Sequence, residues 1–90
     1  MKSQAIPDFW KCFHKLPKQI QIQAETNYQL WRIDPYHHSL HFKRLGKKDQ
    51  VYSVRIGLKW RAIGAIRMDT IYWFWIGSHE EYNQLIRQFK

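Results

Sequence analysis

Three residues in the second half of the chain have side chains suited to acting on a phosphodiester: Arg55, Arg61 and His79. A guanidinium matches phosphate oxygens in a two-point contact, and an imidazole gives or takes a proton near neutrality. Arg55 lies near the end of the alternating stretch VYSVRI and Arg61 near the start of the next, WRAIGAIR, with a short turn at Gly57-Leu58-Lys59 between them. If both arginines leave the sheet on the face away from the preceding helices, they stand within reach of one phosphate. Lys43, Arg44, Lys47, Lys48 and Lys59 add to the same end, so that seven basic residues and one acid lie between Lys43 and Arg61. That pattern is the electrostatic footprint of a nucleic-acid surface, although a merely solvated sheet face would read the same way. His79 follows Gly77-Ser78 at a helix start, where its ring would project over the sheet edge beside Trp75 and Arg61; the plainer alternative is a surface residue next to a helix cap.

The rest of the inventory narrows the chemistry. There is no glycine-rich phosphate loop, no G-x-S-x-G elbow, no His-Glu-x-x-His helix and no carboxylate pair outside Glu80-Glu81. Cys12 is the single cysteine, so an intrachain disulfide and a thiolate cluster are both excluded. His37, His38 and His41 lack a complementary distant pair of ligands, which argues against a metal site. Catalysis would therefore rest on His, Arg, Lys and Tyr. These suit RNA cleavage by its own 2′-hydroxyl, in which a base activates the hydroxyl and cations stabilise the crowded phosphate, with no metal or other cofactor required.

The elements that must position these groups follow from periodicity. Pro7 suits a first helical position and Asp8 a helix N-terminus, and Phe9, Cys12, Phe13 and Leu16 recur at helical spacing, which predicts a short helix from Pro7 to Lys15. Leu16-Pro17 breaks it. Ile20, Ala24, Tyr28 and Trp31 form the stripe of a second helix, ended by Asp34-Pro35. Residues 2–5 read as a short edge strand or an ordered arm. From Leu40 the pattern alternates, with Lys43 and Leu45 on one face. Val51 to Gly57, Trp60 to Arg67 and Thr70 to Ile76 then read as strands joined by tight turns. Strict alternation assigns Tyr52, Val54, Ile56, Phe74 and Ile76 to the packed face, and Arg55, Arg61, Trp75 and His79 to the other. A register shift of one residue would exchange those assignments. Ser78 with Glu81 is a capping box for a closing helix striped by Tyr82, Leu85, Ile86 and Phe89. The whole predicts one α+β domain over residues 1–90: a helical hairpin on one face of a three- to four-stranded antiparallel sheet, then a C-terminal helix.

Composition bounds the partners. Ninety residues point to one domain with a single core. The formal charge of +8 favours a polyanion or an acidic protein over an acidic small molecule. No apolar run is long enough to span a membrane, and the opening Met1-Lys2-Ser3-Gln4-Ala5 lacks a signal-peptide core, so the expected setting is the cytoplasm, with no membrane partner.

A helical hairpin followed by SLHFKRL, YSVRIG, WRAIGA and IYWFWIGSHEEYNQLI resembles the RelE/ParE superfamily of bacterial type II toxin–antitoxin toxins. Most RelE-like members are mRNA interferases that enter the ribosomal A site and cut the codon there. The resemblance implies a RelE-like fold and a toxin that inhibits translation as an endoribonuclease, with mRNA and the ribosome as partners. Arg55, Arg61 and His79 fall on the catalytic positions of that group. Lys43, Arg44, Lys47, Lys48, Lys59, Trp75 and Tyr82 become candidate RNA contacts, Tyr82 as a stacking or auxiliary residue one helical turn beyond His79. Ser53 stands where some members have a second catalytic lysine, and Trp75 replaces an arginine of some relatives. The resemblance also implies a cognate acidic antitoxin, through which DNA is met only indirectly. Two other functions share the fold: a non-nuclease, gyrase-inhibiting toxin of the ParE type, and an inactive member serving as an antitoxin-binding subunit.

Overall fold

The computed structural model describes residues 1–47 and 49–89. The elements run β1 (Lys2–Ala5), α1 (Pro7–Phe13), α2 (Lys18–Ile33), a 3-10 turn (His38–Leu40), β2 (Lys43–Leu45), β3 (Val51–Ile56), β4 (Trp60–Arg67), β5 (Thr70–Ser78), α3 (His79–Leu85) and a final 3-10 turn (Ile86–Phe89). No helix among the described residues is long and apolar enough to cross a membrane.

The α+β class is as expected, but the sheet has five strands in the order β1-β5-β4-β3-β2 rather than three or four. Strands β2 to β5 are antiparallel neighbours, while β1 pairs parallel to β5, Ser3 beside Ile71 and Ala5 beside Trp73. The added strand is held mainly through its backbone, with two of its four side chains exposed, so it leaves little hydrophobic signal. Pro7 starts α1 with Asp8 in its first turn, as the sequence suggests. Helix α2 begins without a side-chain cap but gains a bond from the Gln21 Nε2 to the Leu16 carbonyl at 3.1 Å.

Helices cover both faces of the sheet, which corrects the expectation of a single helical layer and a single core. On one face, α1 and α2 pack Phe13, Leu16, Ala24 and Trp31 against Val54, Ile56, Ala62, Trp73 and Ile76. On the other, Tyr82 and Ile86 close over Leu45, Val51 and Ile63, with Phe74 and Trp75 at the edge of that cluster. The capping box holds α3 here: the Glu81 amide donates to Ser78 Oγ at 3.2 Å, and the Ser78 amide donates to Glu81 Oε1 at 3.2 Å.

Phe74 is the residue that strict alternation misassigned. Ile63 pairs with Trp75 but Gly64 pairs with Trp73, so β5 has one extra residue at that point. A bulge of this kind reverses the facing of everything beyond it. Trp73 and Ile76 therefore both enter the α1–α2 core, while Phe74 and Trp75 both enter the α3 cluster. Gly64 makes room for it, since a Cβ there would lie 2.8 Å from both Ile71 Cγ1 and Trp73 Cε3.

Gly64→Ala is expected to lower the unfolding free energy by about 1–3 kcal/mol, because the methyl would lie 2.8 Å from two buried side chains, Ile71 and Trp73, that must shift to admit it. A urea denaturation curve with an unchanged midpoint would contradict this packing account.

Candidate functional site

The arginine face is built on the β3–β4 hairpin. Arg55 and Arg61 are direct cross-strand partners, and cross-strand partners project from the same face. That face also holds Val51, Ser53 and Ile63, which lie under α3. The hairpin turns through Gly57 at φ 63°, a backbone region that glycine enters without steric cost. A Cβ at Gly57 would also meet the Gln23 amide at 3.0 Å. Its carbonyl faces both arginines: Arg55 Nε donates to it at 3.0 Å and Arg61 Nη1 at 3.5 Å. The Arg61 Nη1 group also donates to the Trp60 carbonyl at 2.8 Å.

Both arginines are half-buried. Burial pulls Arg61 below the ordinary guanidinium value, and the positive charge of Arg55 pulls in the same direction, while Tyr82 opposes them. A guanidinium stays protonated in a protein regardless, so these effects measure how unfavourable the charge is there rather than whether it exists. Among the described residues, neither arginine forms an ion pair; the one ion pair joins Lys2 and Asp69 at 3.7 Å, between exposed side chains.

His79 is brought to this pair by backbone and ring contacts. Its amide donates to the Lys59 carbonyl at 2.7 Å, which ties the start of α3 to the β3–β4 turn. Its ring stacks beside Tyr82 with centroids 6.1 Å apart, and the Arg61 Cζ lies 5.8 Å from the Tyr82 ring centroid. Asn83 Nδ2 is 3.4 Å from His79 Nδ1. Tyr82 thus separates and orients the two groups.

Tyr82 itself is 4% exposed, and its hydroxyl donates to the buried Ser53 Oγ at 3.0 Å. It forms a floor of the site, with its hydroxyl committed to Ser53 and its ring beside His79. Trp75 lies on the arginine face, half-buried, with its indole over Gly77, where a Cβ would come within 2.5 Å of Trp75 Cζ2. Lys43, the cross-strand partner of Ser53, is exposed on the same face, and Lys59 is exposed in the turn. Arg44 is on the opposite parity, beside Tyr52, and donates to the carbonyls of Lys47 at 3.0 Å and Asp49 at 3.3 Å. It closes the turn and does not join the site. Lys47 is exposed in that turn, and Lys48 lies outside the described residues.

Two features escaped sequence reasoning. The Ser53–Tyr82 bond needs the pairing of β3 with α3 across 29 residues, which no local pattern shows. His41 is the second: its Nε2 receives a hydrogen bond from Arg55 Nη1 at 3.3 Å. The alternating faces of LHFKRL hinted at it by placing His41 with Lys43. A half-open, mainly apolar cavity of about 190 Å³ between α1, α2 and the sheet, lined by residues such as Phe9, Phe13, Ala24, Glu25 and Trp73, lies on the other face and has no arginine or histidine in its lining.

A family model of the ParE-like toxin domain matches residues 18–84. No curated protein matches the sequence. Among solved structures, the RelB–RelE antitoxin–toxin complex of Methanococcus jannaschii is similar with a TM-score of 0.73 and 14% identity, over 91% of this chain and 96% of that one. The toxin–antitoxin complex RelBE2 of Mycobacterium tuberculosis gives a TM-score of 0.68 at 18% identity, over 87% and 90%. The isolated RelE toxin of E. coli gives 0.65 at 12%, over 97% and 96%. Identities this low speak for the fold alone.

The buried hydroxyl pair is open to a double-mutant cycle. Ser53→Ala and Tyr82→Phe are each expected to destabilise the fold by about 1–3 kcal/mol, because each leaves one buried hydroxyl unpaired. The double variant should cost less than the two single losses together, since it removes both polar atoms at once. Strictly additive losses in chemical denaturation would show that the hydroxyls are not coupled.

Proposed function

The chain belongs to the ParE-like toxin family, within the RelE/ParE superfamily of toxin–antitoxin toxins, and from that premise we propose that it is a ribosome-dependent mRNA endonuclease. The observation that carries this reading is the arginine pair. Two guanidinium groups are cross-strand partners that meet at the Gly57 carbonyl, with no ion pair to either among the described residues. Like charges directly opposite each other destabilise a sheet, so the arrangement is best accounted for by an anion that binds between them.

In the proposed reaction Arg55 and Arg61 neutralise the phosphate as its oxygens gain charge, the kind of fixed electrostatic support that is worth most at the transition state. His79 takes the proton of the attacking 2′-hydroxyl. Lys43 and Lys59 extend the basic surface toward ribosomal RNA. Tyr82 contributes by position, holding Arg61 and His79 on either part of its ring. An acidic antitoxin is the partner this charge balance suits, and the similar complexes from Methanococcus jannaschii and Mycobacterium tuberculosis pair a toxin with an antitoxin. The setting that fits all of these partners is the cytoplasm.

A second reading, gyrase inhibition without cleavage, is favoured by one observation: the family model is the ParE-like one. It uses the same basic surface for binding and no proton transfer.

Induced expression followed by primer extension separates the two. The nuclease reading expects discrete cuts in mRNA, reduced about 10²-fold or more in Arg61→Ala and in His79→Ala, with growth restored in both. Growth arrest with intact mRNA, DNA-damage signalling and unabated toxicity in His79→Ala would establish the gyrase reading instead.

A further inference from the structure

The β2–β3 register sets Lys43 opposite Ser53. His41 lies two residues before that strand begins and meets Arg55 through its side chain rather than through the ladder. The β3–β4 register places Arg61 next to Arg55, and the β4–β5 register places Gly77 next to Arg61. One transverse row of the sheet therefore reads Arg55, Arg61, Gly77, with neighbouring backbones about 4.8 Å apart, and the His41 side chain meets its Arg55 end. Gly77 has no side chain, and His79 follows it two residues on. The two arginines are flanked by two histidines, one at each end of the row.

The His41 side chain is turned into this row: Arg55 Nη1 reaches its Nε2 at 3.3 Å. Its backbone sits in the left-handed region at φ 45°, ψ 45°, after the 3-10 turn that ends at Leu40. Histidine is among the non-glycine residues that enter that region most readily, and it does so here as the chain passes from the turn toward β2. His41 is exposed, so the same Nε2 is accessible to a bound molecule. Arg55 from β3, Arg61 from β4 and Lys43 from its own segment are charged groups on its side of the sheet, with His37 and His38 in the adjoining turn.

We propose that His41 is the second proton-transfer group of the site, the acid that protonates the leaving 5′-oxygen. This rests on the nuclease reading above. A guanidinium has only donors, so the contact with Arg55 makes the Nε2 of His41 an acceptor, with its proton on Nδ1. A phosphate bound between the arginines draws the Arg55 guanidinium toward itself and frees that Nε2, which takes up a proton from the buffered solvent beside the new negative charge. The 2′-oxygen then forms its bond to phosphorus as its proton passes to His79. The bond from phosphorus to the 5′-oxygen breaks, its electron pair stays on that oxygen, and His41 supplies the proton. The products are a 2′,3′-cyclic phosphate and a 5′-hydroxyl. In the free protein the same contact holds Arg55 in place, so His41 serves as a rest for the arginine before it serves the reaction.

The test uses ribosomes programmed with mRNA that has, in the A site, the codon the wild type cuts, mapped first by primer extension. Two substrates are compared: the natural linkage, and one in which sulfur replaces the bridging 5′-oxygen, a leaving group that needs no protonation. His41→Asn, which tolerates the left-handed backbone, and His41→Gln are the variants. On the natural linkage both should cut about 10²- to 10⁴-fold more slowly in single turnover, and on the sulfur-bridged linkage within a fewfold of wild type. His79→Ala should be slow on both. Wild-type rates for both His41 variants on the natural linkage, or an equal loss on the two substrates, would overturn the assignment of His41 while leaving the nuclease reading intact. Failure of the wild type to cut either substrate would overturn both.

Discussion

One extra residue in β5 decides what each face of this sheet can do. Without the bulge between Ile63 and Gly64, period-two alternation would set Trp75 with Trp73, and Phe74 with Ile76. With it, Trp73 and Ile76 share the α1–α2 core and Phe74 and Trp75 share the α3 cluster. The last strand feeds both layers with aromatic area, which a chain of ninety residues needs if it is to cover its sheet on both sides. The bulge lies before Gly77 and Ser78, so it also sets the phase in which the strand hands over to His79. The position of the histidine relative to the arginines is fixed by the pairing of Gly77 with Arg61 and by the bond from the His79 amide to the Lys59 carbonyl.

On the arginine face the local interactions are unfavourable when taken singly and become consistent when taken together. Two like charges oppose each other across β3 and β4, and burial disfavours Arg61 further. The structure offsets this with neutral acceptors: the carbonyls of Gly57 and Trp60 receive the N–H groups, and the Tyr82 ring lies under the Arg61 guanidinium. None of these groups removes the net positive charge. A carboxylate would stabilise the pair better and would also compete with any anion that binds there. The Ser53 hydroxyl beneath is part of the same arrangement, since a lysine at that buried position would add a third cation with no acceptor beyond Tyr82.

The legible parts of the fold were those written in local chemistry. Pro7 and Asp8 mark α1, the Ser78–Glu81 box marks α3, and the alternation of VYSVRI and WRAIGAIR put Arg55 and Arg61 on one face. The resemblance found the family, and residues 18–84 match its model. What stayed hidden depends on contacts distant in sequence. β1 contributes backbone rather than hydrophobic pattern, and its parallel partner lies some seventy residues away. The bulge occurs in a strand that is apolar throughout, where alternation carries no information about register. Tyr82 looked available because a helical turn separates it from His79; only the packing of α3 over β3 shows its hydroxyl committed to Ser53. Arg44 read as one more cation in a basic run, and the β2–β3 register turned it to the other face.

The two faces differ in the kind of recognition they permit. The α1–α2 side has a half-open, mainly apolar cavity of about 190 Å³ with Trp10 and Tyr28 among the residues that line it, both partly exposed. Such a surface selects mainly by shape and by displacement of water, and the one charged side chain lining it is the carboxylate of Glu25. The arginine side is flat, cationic and half-open; it selects by charge, so its affinity falls with added salt. A polyanion can engage the second without touching the first, and an acidic protein with apolar side chains can engage both. Strands β3, β4 and β5 form the shared floor of both faces. The hairpin turn at Gly57 is where the two sides meet: Gln23 of α2 packs against it from one side, and both guanidinium groups bond to its carbonyl from the other.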